Sequence, residues 1–118
     1  MSSEQEQKKY VDIDAALARV RGNKKLFGKM LGLFLNNDEL SKLEKALEEK
    51  NYEAAGSAAH GIKGMTGNLA LTALFEKSAV LMDQMRNGEA PEPSAVDEYF
   101  DALEHTRKHV IEIMETIE

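Results

Sequence analysis

Apolar side chains recur every three or four residues along most of this chain, which is the spacing of an amphipathic α-helix. A long helical stretch is predicted after Gly22-Asn23, with the apolar residues Leu26, Phe27, Met30, Leu31, Phe34 and Leu35. The same stripe continues through Leu40, Leu43 and Leu47. The polar segment Asn36-Asn37-Asp38 lies between the two groups, where it either bends the helix or occupies its solvent-facing side. Asn51 is the predicted end of this helix.

The N-terminal segment has a different character. Residues 1–9 are polar, and we expect them to be flexible, ahead of a single domain over residues 10–118. Asp12 or Asp14 can cap a short helix that runs to about Val20, because a carboxylate at the N-cap accepts hydrogen bonds from free backbone amides. This short helix would cover one end of the domain.

Three more helices are predicted downstream, over about residues 52–68, about residues 71–86, and from Ser94 onward. Asn87-Gly88 ends the second of these, since glycine tolerates the left-handed conformation just past a last turn. Both prolines lie in a linker over residues 89–94, and Ser94 is the predicted N-cap of the last helix, in a variant capping box with Asp97. Four long amphipathic helices with short loops pack best as an antiparallel four-helix bundle, so the predicted fold is all-α with a short additional N-terminal helix.

Composition excludes several classes of function. The net charge of −6 disfavours a nucleic-acid partner, which would require clustered cations. The absence of cysteine excludes a thiol nucleophile and a thiolate metal site. No signal peptide is recognisable, and no apolar run reaches the roughly 20 residues that span a bilayer. We therefore expect a cytoplasmic protein that contacts no membrane, and Met1 with its polar surroundings favours a free-standing chain.

His60 is the principal candidate for chemistry. With about 100° per residue, a helix centred on Ile62 buries Ala55, Ala58, Met65, Thr66 and Leu69 within about 60° of that centre. His60 then lies about 160° away and faces solvent. Imidazole has an ordinary pKa of about 6.5, so an appreciable neutral fraction is present at pH 7 and one ring nitrogen can act as a nucleophile.

Glycines surround this histidine at helical spacing. Gly56 and Gly64 lie one turn on either side of His60, and Gly67 lies a further turn along. Each glycine inside a helix costs about 0.8–1.0 kcal/mol relative to alanine. Our interpretation is that all three face solvent and form a bare strip, on which the imidazole can enter a partner's concave site. Lys63, three residues after His60, can support a phosphoryl group with its charge.

The run Ala59-His60-Gly61-Ile62-Lys63-Gly64-Met65-Thr66-Gly67-Asn68-Leu69 resembles the histidine-containing phosphotransfer (HPt) family of two-component phosphorelays. The resemblance extends over about residues 10–118 and implies that His60 is the phosphoacceptor, Lys63 the supporting cation and Gly64 the clearance position. The chain departs from the family pattern at Ala70, where glycine is usual, and near Met82, where glutamate is common. Neither residue is expected to contact His60.

The resemblance also implies the partners. A receiver domain with an aspartyl phosphate would donate to His60, and a second receiver, or a hybrid sensor kinase, would take part in the relay. We expect the partner to contact Gly56, Ser57, Gly61, Gly64, Gly67 and Asn68. The chain would act as a monomeric phosphohistidine carrier without kinase activity, with no cofactor or metal of its own, and Mg²⁺ would be bound by the receiver.

Three alternatives remain open. A sensor-kinase dimerisation helix would carry a different motif after the histidine, and the phosphorylation domain of a chemotaxis-type kinase would belong to a longer chain. A helical adaptor would need no phosphorylation at all.

His105 and His109 are four residues apart, but Thr106, Arg107 and Lys108 separate them, so solvated histidines are expected there rather than a metal site. Met82 and Met85 are interpreted as core-filling residues.

Overall fold

The computed structural model describes residues 4–117. Its helices are α1 (Glu4–Tyr10), α2 (Ile13–Arg19), α3 (Lys24–Leu35), α4 (Asp38–Glu48), α5 (Tyr52–Asn68), α6 (Thr72–Gln84) and α7 (Pro93–Thr116), with a 3₁₀ turn at Arg86–Gly88. No strand forms within these residues. The predicted all-α fold is therefore confirmed.

The long helices form the bundle. The α5 helix packs between α4 and α6, α6 packs against α7, and α3 contacts α7, which closes the arrangement. Short connections join α4 to α5, α5 to α6 and α6 to α7, as in an antiparallel bundle. The centre of the bundle consists of fully buried large side chains, among them Phe27, Phe34, Leu43, Ile62, Leu74, Leu81, Tyr99 and Ile113.

The first long helix is broken in two. The α3 helix ends at Leu35 and α4 begins at Asp38, because Asn37 caps α4 by accepting a hydrogen bond from the Glu39 amide (2.8 Å). Asn36 donates its side-chain amide to the Gly32 carbonyl (3.0 Å), which satisfies an end group of α3. Asn51, predicted to end this helix, is the N-cap of α5 and accepts from the Ala54 amide (3.1 Å).

The N-terminal segment is more ordered than the sequence predicted. The α1 helix lies over part of the segment that was expected to be flexible, while residues 1–3 lie outside the described residues. Asp12 caps α2 by accepting from the Ala15 amide (3.2 Å), so of the two predicted caps Asp12 is the one used. Its backbone amide also donates to the Ala70 carbonyl (2.9 Å), which attaches this segment to the turn between α5 and α6.

Ala70 lies in that turn with a φ of 55°, in the left-handed region. This conformation costs a residue with a Cβ roughly 1–2 kcal/mol, which gives a physical reason for glycine at this position. The turn is closed by a hydrogen bond from the Leu71 amide to the Thr66 carbonyl (2.9 Å).

Two details of α7 differ from the prediction. The helix begins at Pro93, and its N-cap is Glu92, whose side chain makes no capping hydrogen bond, so the predicted Ser94 cap is wrong. Proline is favourable at a first helical position because its φ is already helical. The amide hydrogen that it lacks would have no partner within the helix at that position. His109 is buried at 1% exposure, so the expectation that it is solvated is wrong, whereas His105 is half-buried and keeps 40% of its side chain exposed.

Two further properties concern the whole described region. Over residues 4–117, no helix is long and apolar enough to cross a membrane. The same residues contain no group of three or more His, Cys, Asp or Glu side chains that could hold a metal ion.

Candidate functional site

The α5 helix presents one face to the core and the other to solvent, as its sequence predicted. Ala55, Ala58, Ile62 and Thr66 are buried, and Ala59 joins them. The Thr66 hydroxyl donates to the Ile62 carbonyl one turn back (2.8 Å), which allows a polar residue to be buried there. His60 is exposed on the opposite face, which confirms the predicted orientation.

His60 stands on a ridge between two hollows. The first hollow lies between α5 and the end of α6, and its walls include Ser57, Met82, Met85 and Arg86. The second lies between α2, α5 and the start of α6, and its walls include Lys63, Asn68 and Phe75. Ser57 and Asn68, both predicted to contact a partner, are exposed in the hollows on the two sides of the imidazole.

Met82 lies directly against the imidazole. Its Sδ is 3.3 Å from Nδ1 of His60. Met82 does pack against the core, as predicted, but the expectation that it would not contact His60 is wrong. The residues are 22 positions apart in the chain, so helical periodicity within α6 could not reveal the pairing.

Lys63 is half-buried in the wall of the second hollow, which it shares with His60. Its ammonium group forms no ion pair with any residue in the described part of the chain. Arg19 of α2 lies in the same wall, and its guanidinium donates to the Gly67 carbonyl of α5. Arg19 was not among the predicted site residues, because its proximity depends on how α2 docks.

Gly64 faces open space, as the sequence predicted. It is exposed on α5, and a Cβ built there would meet nothing within 4 Å. The position beside His60 is therefore open to an incoming surface.

The other glycines do not form the bare strip that was predicted. A Cβ at Gly67 would lie 3.1 Å from the Phe75 ring, and one at Gly61 would lie 3.3 Å from the Glu39 carboxylate. A Cβ at Gly56 would reach Met85, at 3.6 Å from its carbonyl oxygen. Gly56 and Gly67 are half-buried rather than solvent-facing. The interpretation was wrong for Gly56 and Gly67, because residues of neighbouring segments already lie against them, whereas Gly61, which was predicted only to contact a partner, is exposed.

The fold and the exposed histidine define a class of protein, a helical bundle that presents one imidazole on the outer face of a central helix. The family model of the Hpt domain matches residues 29–113. The chain therefore belongs to the Hpt domain family, whose members carry out histidine phosphotransfer in two-component systems. The match begins within α3, so α1 and α2 lie outside it.

Neither a search of curated proteins nor a search of solved structures gave a match to this chain.

Proposed function

We propose that this chain is a phosphorelay intermediate that carries the phosphoryl group on His60. A receiver's aspartyl phosphate is the donor, and an aspartate of another receiver is the acceptor. In the first step a His60 ring nitrogen forms the P–N bond while the P–O bond to the donor aspartate breaks, and the carboxylate leaves with the electron pair. The second step reverses these roles on the acceptor.

The exposure of His60 on a ridge is the observation that carries the proposal. The imidazole projects between two hollows, and the open position at Gly64 lets another surface approach it closely. His105 and His109 offer no comparable nucleophile, since both pack against the Tyr10 ring. Among the residues that the structure describes, His60 is the histidine classed as exposed, whereas His105 is half-buried and His109 is buried.

Lys63 supports the proposal through charge. Phosphoryl transfer depends mainly on alignment and on neutralising charge at the transferred group. The Lys63 ammonium has no competing carboxylate among the described residues and lines the hollow that His60 borders. The Mg²⁺ that phosphoryl transfer uses would be bound by the receiver, whose aspartate is the other reacting group.

The test is transfer from purified receivers that have been phosphorylated with acetyl phosphate. We expect wild-type protein to become labelled with a phosphohistidine, which is labile in acid and stable in base, and His60→Gln to remain unlabelled. Lys63→Ala should take up label more slowly and lose it sooner while keeping its fold. His105→Gln is the matched control and should be labelled normally. Label on the His60→Gln protein, or signalling that survives this substitution, would contradict the proposal, and the latter would favour a helical adaptor.

A further inference from the structure

We infer that Met82 is a positioning residue that holds the imidazole of His60 in the tautomer with its proton on Nδ1. The catalytic consequence rests on the proposed phosphoacceptor role of His60, whereas the tautomer itself does not. The inference comes from the contact between Met82 and His60 and from the chemistry of the two groups that meet there.

Only one assignment of donor and acceptor makes this contact favourable. A thioether sulfur carries no hydrogen and can only accept a hydrogen bond, weakly. At 3.3 Å from the sulfur, Nδ1 is favourable when it carries the proton and donates it. With the proton on Nε2 instead, the Nδ1 lone pair would face the sulfur lone pairs. The neutral ring is therefore biased towards the Nδ1–H form, because the hydrogen bond at one nitrogen decides which tautomer is present.

The scaffold holds the sulfur in place. Met82 is half-buried on α6, one residue after the fully buried Leu81, and α6 packs along most of α5. Met85, the residue directly after α6, is buried and lies in the wall of the same hollow. The half-buried Met82 is thus carried beside the imidazole by a helix that packs against α5, as a group that orients another must be held by the scaffold.

The tautomer determines which atom reacts. With the proton on Nδ1, the lone pair available for attack is on Nε2, on the side of the ring away from Met82. Attack by Nε2 forms the P–N bond, breaks the P–O bond to the donor carboxylate, and leaves the Nδ1 proton in place. The phosphorylated ring then carries a positive charge that the uncharged thioether does not neutralise. A carboxylate at position 82 would stabilise that charge and prolong the phosphohistidine's lifetime.

The experiment measures the tautomer directly, in unphosphorylated protein labelled with ¹⁵N in its histidine rings. Long-range ¹H–¹⁵N spectra at about pH 9, well above the ordinary imidazole pKa of about 6.5, report which nitrogen of His60 is protonated. We expect Nδ1–H to predominate in wild type. In Met82→Leu the Nδ1–H to Nε2–H ratio should fall at least about threefold, as expected for loss of a weak hydrogen bond. Met82→Glu restores an acceptor and should restore the Nδ1–H form.

Met65→Leu is the matched control, since Met65 is also half-buried but has no hydrogen-bond contact with His60. An unchanged tautomer ratio in Met82→Leu, or a wild-type ring that is mainly Nε2–H, overturns the inference.

Label uptake from a phosphorylated receiver is measured on the same samples. We expect Met82→Leu to transfer about threefold more slowly and Met82→Glu to hold its label longer than wild type. Normal label on His60 with an unchanged tautomer ratio refutes the role of Met82 and leaves the proposed function intact. A shifted tautomer without any label on wild-type His60 refutes the proposed function, and with it the catalytic role of Met82.

Discussion

Gly64 and Gly67 lie three residues apart on α5, yet the structure places them in different surroundings. A side chain at position 64 would extend into open space beside His60, whereas one at position 67 would press on the Phe75 ring. Glycine at position 64 therefore leaves room for another surface to reach His60, whereas glycine at position 67 allows α5 and α6 to pack closely. The distinction is visible only when the neighbouring helix is in place.

Substitution of Gly64 is predicted to raise the stability of the protein and to slow its phosphotransfer. Gly64→Gln replaces a poor helix former with a good one and should raise the free energy of unfolding by up to about 1 kcal/mol. The same substitution should slow transfer from receivers at least about tenfold, or about 1.4 kcal/mol in the barrier, because the new side chain stands beside the imidazole. Denaturant unfolding and receiver-transfer rates provide the two measurements, and transfer from small phosphodonors should change less.

Gly67→Gln is the comparison variant. Overpacking costs about 1–3 kcal/mol, and the gain in helix propensity returns at most about 1 kcal/mol, so this protein should be less stable than wild type. If Gly64→Gln unfolds more easily and transfers normally, Gly64 serves the bundle and not the approach of a partner.

At the scale of elements, α1 is attached to the bundle through contacts with both α6 and α7. The Tyr10 ring stacks on His105 (centroids 5.3 Å apart) and on His109 (5.1 Å), both on α7. The Thr72 hydroxyl donates to the Lys9 carbonyl (2.6 Å), which joins the end of α1 to the start of α6. With seven residues α1 is too short to be stable alone, so its helical structure depends on these contacts.

Tyr10→Ala should therefore detach α1. We expect a loss of about 2 kcal/mol in the free energy of unfolding, from the lost burial and ring stacking. Amide hydrogen exchange over residues 4–10 should become fast while α5 and α6 stay protected. Tyr10→Phe keeps the stacking and should behave nearly as wild type. Continued protection of residues 4–10 in the Tyr10→Ala protein would show that other contacts hold α1.

At the scale of the whole molecule, the described surface offers little for self-association. Its exposed large apolar side chains are Leu26, Leu33, Val80 and Ile111, and they lie on three different helices. A stable protein–protein interface buries about 1,200–2,000 Å² around a well-packed centre. Leu26 and Leu33 share one face of α3 about two turns apart, but two side chains do not provide such a centre. The net charge of −6 adds repulsion between copies.

We therefore predict a monomer. Light scattering should give a mass near 13.1 kDa that does not rise with protein concentration. Leu33→Glu removes the most exposed large apolar side chain, at 65% exposure, and should leave that mass unchanged. A dimer in wild type that Leu33→Glu dissociates would instead identify α3 as an interface.

The positions of the main helices followed from the sequence, because helical periodicity and end signals act over a few residues. The α5 helix begins and ends where its pattern predicted, and the orientations of Ile62 and His60 follow from 100° per residue. The break at Asn36-Asn37 was not predicted, since the same polar residues also suit a bend or the solvent-facing side of one continuous helix. The start of α7 was misassigned, because Ser94 and Pro93 both carry signals for a helix start.

Contacts between helices were decided by the tertiary structure alone. Met82 beside His60, Phe75 against Gly67 and Arg19 on the Gly67 carbonyl each join residues from different helices. Such contacts depend on how each helix is rotated and displaced against its neighbour, which periodicity within one helix does not specify. His109 illustrates the same limit, since Tyr10, which precedes the predicted cap Asp12 and lies far from His109 in the sequence, stacks on its ring. The sequence by itself thus determined which face of α5 is solvent-exposed, and packing determined what lies against that face.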